Sequence, residues 1–584
     1  MVTQERPVAG SEATPRPVAD PATRPWIARY AAGVPATIAY PDVTLPAAFR
    51  DAAARFADRT AASFLGTRLS YRALERWVAQ FANRLRQFGL RPGDRVLLLL
   101  PNSPQFLIAY FGTLAAGGIV VPLSPLLVAS EIETLAQQSG ARIAVALDLV
   151  YDKLAGLWRR GVLAKVVVAT LDEFLAPHRR LLFPLAARAA WHGPVGDDPA
   201  RGLYRFRRLL QHADERPPTL AGQPDDVAVL VGTGGTTGLP KLVMLTHRNL
   251  IANALQVRHW IPALRERAEV NLAIAPFFHA YGLTTGVNLA MLLGAEQVLL
   301  PRFDTADTLA AIRTYRPTVF PGVPMLFAAI SAAVRQDPSR ARDLASLRHC
   351  ISGAAALPEA TREEFERLTG ARVVEGYGLT EASPVLMAGP FDGTARHGSI
   401  GLPFPDTEVR LVDPETGRDA PPGARGELLA RGPQVMRGYW ERPEETARVL
   451  QDGWLHTGDV VTMDADGFFY LVDRTKDVII TGGENVYPRE IEEVLLQHPQ
   501  IAEVAVVGVP HSLAGQIARA YVVCRPGATL TRRDLLRYCR ERLAKYKVPR
   551  QIEFRDSLPR SYMGKVLRRE LTTPSPATTT ASPG

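Results

Sequence analysis

Between Val96 and Ser130 the chain carries no charged side chain, and an apolar stretch of that length belongs either in a bilayer or in a protein interior. Pro101, Asn102, Ser103, Pro104 and Gln105 decide between the two, because prolines and polar groups in mid-run interrupt any helix long enough to span lipid. The stretch reads instead as a buried strand over 96–100, a helix over 105–116 and a second strand over 119–121. Strands that are apolar on both faces sit in parallel sheets covered by helices. Comparable helix, turn and strand units recur over 45–95, over 131–146 and again beyond residue 241. The expected fold class is therefore α/β, with a large N-terminal domain of mostly parallel sheets and flanking helices.

A length of 584 residues with 47% hydrophobic content supports several domains, or one large and one small, around ample core. The 68 basic residues outnumber the 59 acidic ones, for a net charge of +9, yet the arginines are scattered, which argues against nucleic acid as a partner. Anionic substrates and an anionic membrane surface fit that charge equally well, and so does an arginine-rich genome. Cys350, Cys524 and Cys539 have neither metal-ligand spacing nor a disulfide framework, as expected in the reducing cytoplasm. Residues 1–25 mix Pro7, Pro15, Pro17, Pro21 and Pro25 with Glu5, Glu12 and Asp20, the composition of a disordered tail rather than a signal peptide. Over 163–197, Phe174, Leu181, Leu182, Phe183 and Leu185 accompany His178, Arg179, Arg180 and Arg188. A surface helix in peripheral contact with lipid headgroups at the inner membrane face and an ordinary core-facing helix both account for that mixture.

Thr233, Gly234, Gly235, Thr236, Thr237, Gly238, Leu239, Pro240 and Lys241 make a loop by composition, since glycines and a proline deny it helix or central strand. It lies between apolar strands over 227–231 and 243–245, the second leading into a helix from Thr246. Backbone N–H groups, hydroxyls and an ammonium in one loop suit a polyphosphate, although a plain flexible turn has the same composition. Leu239 and Pro240 separate Gly238 from Lys241, so the common Gly-Lys-Ser/Thr phosphate loop is excluded. Three further strand ends pass through tight turns into helices: 275–282, where Phe277, Phe278, His279 and Gly282 open an uncharged helix through Leu293; 351–358, with Gly353 and Ala354; and 375–381, with Glu375, Gly376, Tyr377, Thr380 and Glu381. Ligands collect at such carboxyl ends of α/β sheets, while a satisfied core histidine is the competing reading of His279. Beyond residue 400, short glycine-punctuated strands over 426–428, 438–440 and 452–459 indicate a β-rich subdomain. Strands over 503–509, 518–524 and 551–554 with helices over 489–497 and 532–545 then form a small α/β unit. The expected domains are 26–475 and 476–572, joined at Lys476, with a second disordered tail over 573–584.

In order, the motifs at 233–241, 275–282, 376–381, 454–459, 473–477 and 564–570 resemble those of the adenylate-forming acyl-CoA synthetase superfamily, closest to bacterial long-chain fatty-acid CoA ligases. The resemblance spans 25–572. It implies an enzyme that drives a fatty carboxylate onto the α-phosphate of ATP, releases pyrophosphate, and passes the acyl group from the adenylate to coenzyme A. Both partners in the first step are anions, so such a site neutralises charge and aligns oxygens rather than supplying a nucleophile. By the same resemblance the 233–241 loop grips the β- and γ-phosphates, Thr380 contacts the α-phosphate, and Glu381 with Thr233 holds Mg²⁺. Tyr377 lies against adenine, with Gly353 and Ala354 opposite and Glu375 and Gly376 alongside; Asp459 takes the ribose hydroxyls, with Arg474 near. His279 stands at the carboxylate end of an acyl channel, as donor or as wall, and Phe277, Phe278, Gly282, Val323 and Met325 line that channel. Lys565 is the adenylating lysine, Lys476 the hinge of a small mobile domain, and Gly482, Gly483 and Glu484 the wall of a coenzyme A tunnel. Homodimers are common among similar long-chain enzymes.

Leu242 stands where the family generally has glycine, Gly232 where tyrosine or serine is common, and His511 and Gln516 replace an acidic pair. Two other readings stand beside the ligase: an enzyme that loads a separate acyl-carrier protein, and a non-catalytic acyl- or nucleotide-binding protein in which Leu242 marks decay. Retained Lys565, Glu381 and Asp459 argue against the second.

Overall fold

The uncharged run folds into the strand Arg95–Leu99, the helix Pro104–Ala115 and the strand Ile119–Pro122, the two strands pairing in parallel. Ser103 caps the helix by accepting from the Phe106 N–H, and Pro104 occupies its first turn, where no N–H is needed. Every residue of that helix is buried; at Gly112 it meets Phe81 of the helix Tyr71–Gln87 so closely that a Cβ would stand 2.7 Å from the ring. The computed structural model describes residues 20–175, 195–211, 213–233, 241–414, 416–474, 477–481, 484–511, 515–543, 545–561 and 564–572.

Among the described residues the strands form four sheets. The first runs Gly438–Tyr439, Leu242–Thr246, Val227–Gly232, Ile119–Pro122, Arg95–Leu99, Ile143–Leu147, Lys165–Ala169, Leu203–Arg205, parallel from Val227–Gly232 onward. The second runs Leu402–Pro403, Val385–Ala388, Arg372–Gly378, His349–Ser352, Val319–Gly322, Val270–Ala273, Glu296–Leu299, Thr60–Phe64, Thr67–Ser70, parallel through its centre and antiparallel at both ends. A third, antiparallel sheet holds Glu408–Val412, Gly426–Arg431, Trp454–Met463 and Phe469–Arg474. The fourth, with Ile501–His511, Gly515–Cys524 and Gln551–Phe554, packs on the helices Pro488–Leu496 and Arg532–Arg540 around its own core of Ile479, Ile491, Leu495, Val506, Val522 and Leu535. The α/β reading with a β-rich subdomain and a small C-terminal unit holds. Among the described residues no helix is long and apolar enough to cross a membrane.

Several local expectations are corrected. The Gly438–Tyr439 strand leaves the β-rich sheet and covers the edge of Leu242–Thr246, whose open N–H and C=O groups it pairs; Trp440 N–H donates to the Leu242 carbonyl at 2.8 Å. The 375–381 segment does not enter a helix: after one turn, Thr380–Ala382, Pro384 cannot donate and the chain returns as the antiparallel strand Val385–Ala388. The helix expected over 532–545 ends at Arg540, and Leu543 and Val548 turn in to pack on the small core instead. Pro21–Thr23 forms a turn within the stretch read as tail. The helix through Leu293 widens to π geometry over Leu283–Asn288. The amphipathic stretch beyond residue 175 lies outside the described residues.

Candidate active site

The 233–241 loop joins the antiparallel strands Val227–Gly232 and Leu242–Thr246 and is thus the tip of a hairpin, closed by the Thr233 N–H donating to the Lys241 carbonyl at 2.8 Å. Thr246 then caps the helix His247–Trp260 in a reciprocal box with Asn249. Gly234, Gly235, Thr236, Thr237 and Gly238 lie outside the described residues. Leu242, the departure that threatened the loop, points into the core at 3% exposure, opposite Gly232 in the ladder. Its branched side chain is accommodated by packing.

Lys241 faces two groups that arrive from far along the chain. Its Nζ lies 2.5 Å from a Glu445 carboxylate oxygen and 4.9 Å from the centre of the Tyr439 ring. The Tyr439 hydroxyl donates to Glu381 at 2.8 Å, and the Glu381 carbonyl accepts from Met436 N–H at 2.8 Å. Behind Thr380 and Glu381, Asn253 holds both backbone groups of Val385, at 2.8 and 3.0 Å, while Ser383 Oγ donates to the Gln434 carbonyl. The turn bearing the two site residues is thereby clamped from the helix that begins beyond the loop.

At the other end of the same strand segment, Tyr377 donates its buried hydroxyl to Asp459 at 2.6 Å, and Asp459 stands opposite Arg474 in the ladder of the β-rich sheet. Glu375 accepts from Leu357 N–H at 3.1 Å, tying down the loop that contains Gly353 and Ala354. Burial pushes the Glu375 carboxyl up to about 7, against the opposing pull of that N–H and of the Arg489 charge. Ala354 is exposed with φ of 68°, a left-handed conformation that costs an alanine about 1 kcal/mol. Gly353 carries no side chain because the Tyr281 ring lies 3.2 Å from where its Cβ would be.

Tyr281 itself bridges two strand ends, its hydroxyl reaching the Ile351 carbonyl at 2.9 Å and that of Gly322 at 3.3 Å. His279, two residues earlier, is partly buried, and that desolvation lowers its pKa to about 4, so it is a neutral imidazole. The Phe278 ring lies tilted against it, with ring centres 4.9 Å apart, and Val323 is buried at the end of Val319–Gly322. Phe277 is fully buried between Phe106 and Gly286, as a core residue. Gly282 meets backbone: a Cβ there would stand 2.2 Å from the Pro276 carbonyl oxygen. Met325 is half exposed.

The small unit touches the large one through the start of Pro488–Leu496. Glu490 pairs with Arg425 at 2.5 Å, Arg425 lies over the Tyr487 ring, and the Arg489 N–H donates to Asp473 at 2.9 Å. Lys565 is exposed on a turn closed by the Ser561 N–H donating to the Lys565 carbonyl. Glu484 opens a short strand, while Lys476, Gly482 and Gly483 lie outside the described residues.

The structure thus links Lys241 to Glu381 through Tyr439 and Tyr377 to Asp459, while Glu375 holds the loop of Gly353 and Ala354 at Leu357 and Tyr281 ties the strand ends that lead to Gly353 and Val323. Tyr281, Tyr439, Glu445 and Asn253 were not singled out from sequence. Tyr281 and Tyr439 sit inside motifs noted there, but nothing local announces partners so distant in the chain. Among the described residues no three His, Cys, Asp or Glu side chains gather as a metal cage. Glu381 supplies a carboxylate, the hard-oxygen donor type that suits Mg²⁺ shared with substrate phosphates.

A glycine-rich hairpin loop, a tyrosine and carboxylate pair at a strand's end, and a separately cored C-terminal unit accord with an adenylate-forming enzyme. The chain belongs to the AMP-binding enzyme family, whose model matches residues 49–440, and residues 490–565 match the AMP-binding enzyme C-terminal domain. It is 42% identical over 550 residues to a long-chain-fatty-acid–CoA ligase of Bacillus subtilis (strain 168), covering 94% of this chain and 97% of that one. It is 40% identical over 515 residues to a feruloyl-CoA synthase of Amycolatopsis sp, covering 88% and 95%. Among solved structures it resembles ATP-bound MatB from Rhodopseudomonas palustris, with a TM-score of 0.79, 30% identity and coverage of 91% and 98%.

Proposed function

We propose that this protein is an AMP-forming fatty acyl-CoA ligase acting on long-chain acids. The observation that supports it most is that one short segment carries both Tyr377, bonded to Asp459, and Glu381, bonded to the Tyr439 that lies against Lys241. Tyr377 and Asp459 suit adenine and ribose; Lys241, Thr233 and the loop suit the distal phosphates; Thr380 suits the α-phosphate. Glu381, with Thr233, would hold Mg²⁺, which supplies charge neutralisation between the phosphates. Neutral His279 offers the incoming carboxylate a donor without the cost of burying a cation. Carboxylate attack on α-phosphorus then needs alignment more than activation.

In this reading Lys565 reaches the site only when the small domain turns at Lys476, and in the arrangement described it is exposed. Gly482, Gly483 and Glu484 stay assigned, by the same reading, to the wall of the coenzyme A tunnel. Aryl acids are the second reading, supported by the likeness to a feruloyl-CoA synthase. A homodimer and contact with the inner membrane face extend the proposal; light scattering and liposome co-sedimentation test them.

The test is pyrophosphate release from Mg-ATP with acetate, octanoate, palmitate, benzoate or ferulate, each with and without coenzyme A. Sustained turnover with palmitate that requires coenzyme A is the expected result. Preference for the aromatic acids would favour the second reading. A single burst unaffected by coenzyme A would point to a carrier protein, and no release with any acid would overturn the enzyme.

A further inference from the structure

Tyr439 is the one described side chain that touches both the lysine of the phosphate loop and the carboxylate read as the metal ligand. Its ring lies under the Lys241 ammonium, 4.9 Å from centroid to Nζ, and its hydroxyl donates to Glu381 at 2.8 Å. The residue has little freedom to do otherwise. It is 7% exposed, it pairs with Val243 across the hairpin edge, and its N–H donates to Thr446 Oγ1 at 2.9 Å. Gly438 beside it is forced to be glycine, at φ of 146° and with Thr446 2.7 Å from any Cβ. Glu445 and Arg442 complete the surroundings of Lys241, at 2.5 Å from Nζ and, for Arg442, 3.1 Å from the Glu445 carboxylate.

We infer that Tyr439 is a positioning residue that couples Lys241 to Glu381, so that the cation for the distal phosphates and the carboxylate for the metal are set as one unit. The inference rests on the nucleotide reading above and deepens it. Tyr439 touches no substrate in this account. Its ring orients the ammonium through the face that attracts cations, and its hydroxyl fixes one oxygen of Glu381, leaving the other to face the metal-bearing phosphates. Two separable consequences follow from the two ends of one side chain. Losing the hydroxyl alone should weaken binding only when a divalent ion accompanies the nucleotide, whereas losing the ring should weaken polyphosphate binding with or without it.

The test is calorimetric titration of the full chain with β,γ-methylene ATP in excess Mg²⁺, with the same analogue in EDTA, and with AMP. Tyr439→Phe should bind the Mg²⁺ complex about tenfold more weakly than wild type, the size expected for a lost hydrogen bond to a charged group, and be unchanged with the metal-free analogue and with AMP. Tyr439→Leu should lose affinity for the analogue under both conditions and keep its affinity for AMP, which also shows that the fold is intact. Equal binding of the Mg²⁺ complex by Tyr439→Phe and wild type would overturn the coupling, as would an equal loss for AMP. If wild type itself binds no analogue, the nucleotide reading falls first and this inference with it.

Discussion

Gly282→Ala tests how tightly the turn proposed to receive the acyl carboxylate is set. An added Cβ would stand 2.2 Å from the Pro276 carbonyl oxygen, 2.5 Å from that of Ala275 and 2.6 Å from the Pro276 carbonyl carbon, all backbone atoms that cannot swing aside. Contacts under 3.0 Å are essentially never found, so the helix start must retreat by roughly 1 Å. The retreat carries His279 with it, because the His279 N–H donates to the Pro276 carbonyl at 3.1 Å and its own carbonyl accepts from Leu283 at 2.9 Å. Misplacing a site group by about 1 Å costs about 100-fold in rate, or about 2.7 kcal/mol. The expectation is a fall of that size in kcat/KM for palmitate, with KM for ATP moving by less than about threefold. Coupled pyrophosphate assays measure both, and a thermal scan checks for the about 1–3 kcal/mol that overpacking costs the fold. Gly156→Ala is the control, since its Cβ would meet only Arg160 at 3.5 Å. Full activity in Gly282→Ala would refute the argument that this turn has no room to move.

Three further outcomes are expected. Tyr377→Phe removes the hydroxyl that donates to Asp459 and should weaken AMP binding about tenfold, read by calorimetry. Lys565→Ala should abolish pyrophosphate release while sparing acyl transfer from a supplied acyl-adenylate; equal loss of both half-reactions would contradict a domain with two roles. His247 is buried, accepts from the Leu45 N–H at 3.3 Å, and has its pKa lowered by burial to about 4. The unfolded chain therefore binds more protons between pH 6.5 and 4, and stability falls as pH drops through that window; at pH 4.5 the loss from this group is about 2–3 kcal/mol. His247→Gln should lose correspondingly less than wild type between urea titrations at pH 7 and pH 4.5.

Much of the fold could be read from local pattern, because the pattern was strong. The uncharged run and its prolines left little choice but strand, helix and strand, and the structure has them within a residue of the expected bounds. Tyr377 and Asp459, expected to share one nucleotide, are joined by a hydrogen bond across 82 residues of chain. What escaped was long-range pairing. The Gly438–Tyr439 segment looked like its β-rich neighbours, and only the open edge of Leu242–Thr246 explains why it left them and brought Tyr439 to Lys241. Leu242 looked like damage when judged beside the loop; its burial in the core depends on a sheet that no local window contains. At Gly282 the reason for glycine is equally non-local: an added Cβ would meet the carbonyls of Ala275 and Pro276.

In the proposed reaction the carboxylate attacks α-phosphorus and the acyl group then leaves with a thiol. Turnover of palmitate carrying ¹⁸O in both carboxylate oxygens, with Mg-ATP and coenzyme A, tests it directly by mass spectrometry of the products. The account requires one ¹⁸O in each AMP and none in pyrophosphate. Label in pyrophosphate, or AMP without label, would mean that no acyl-adenylate lies on the path.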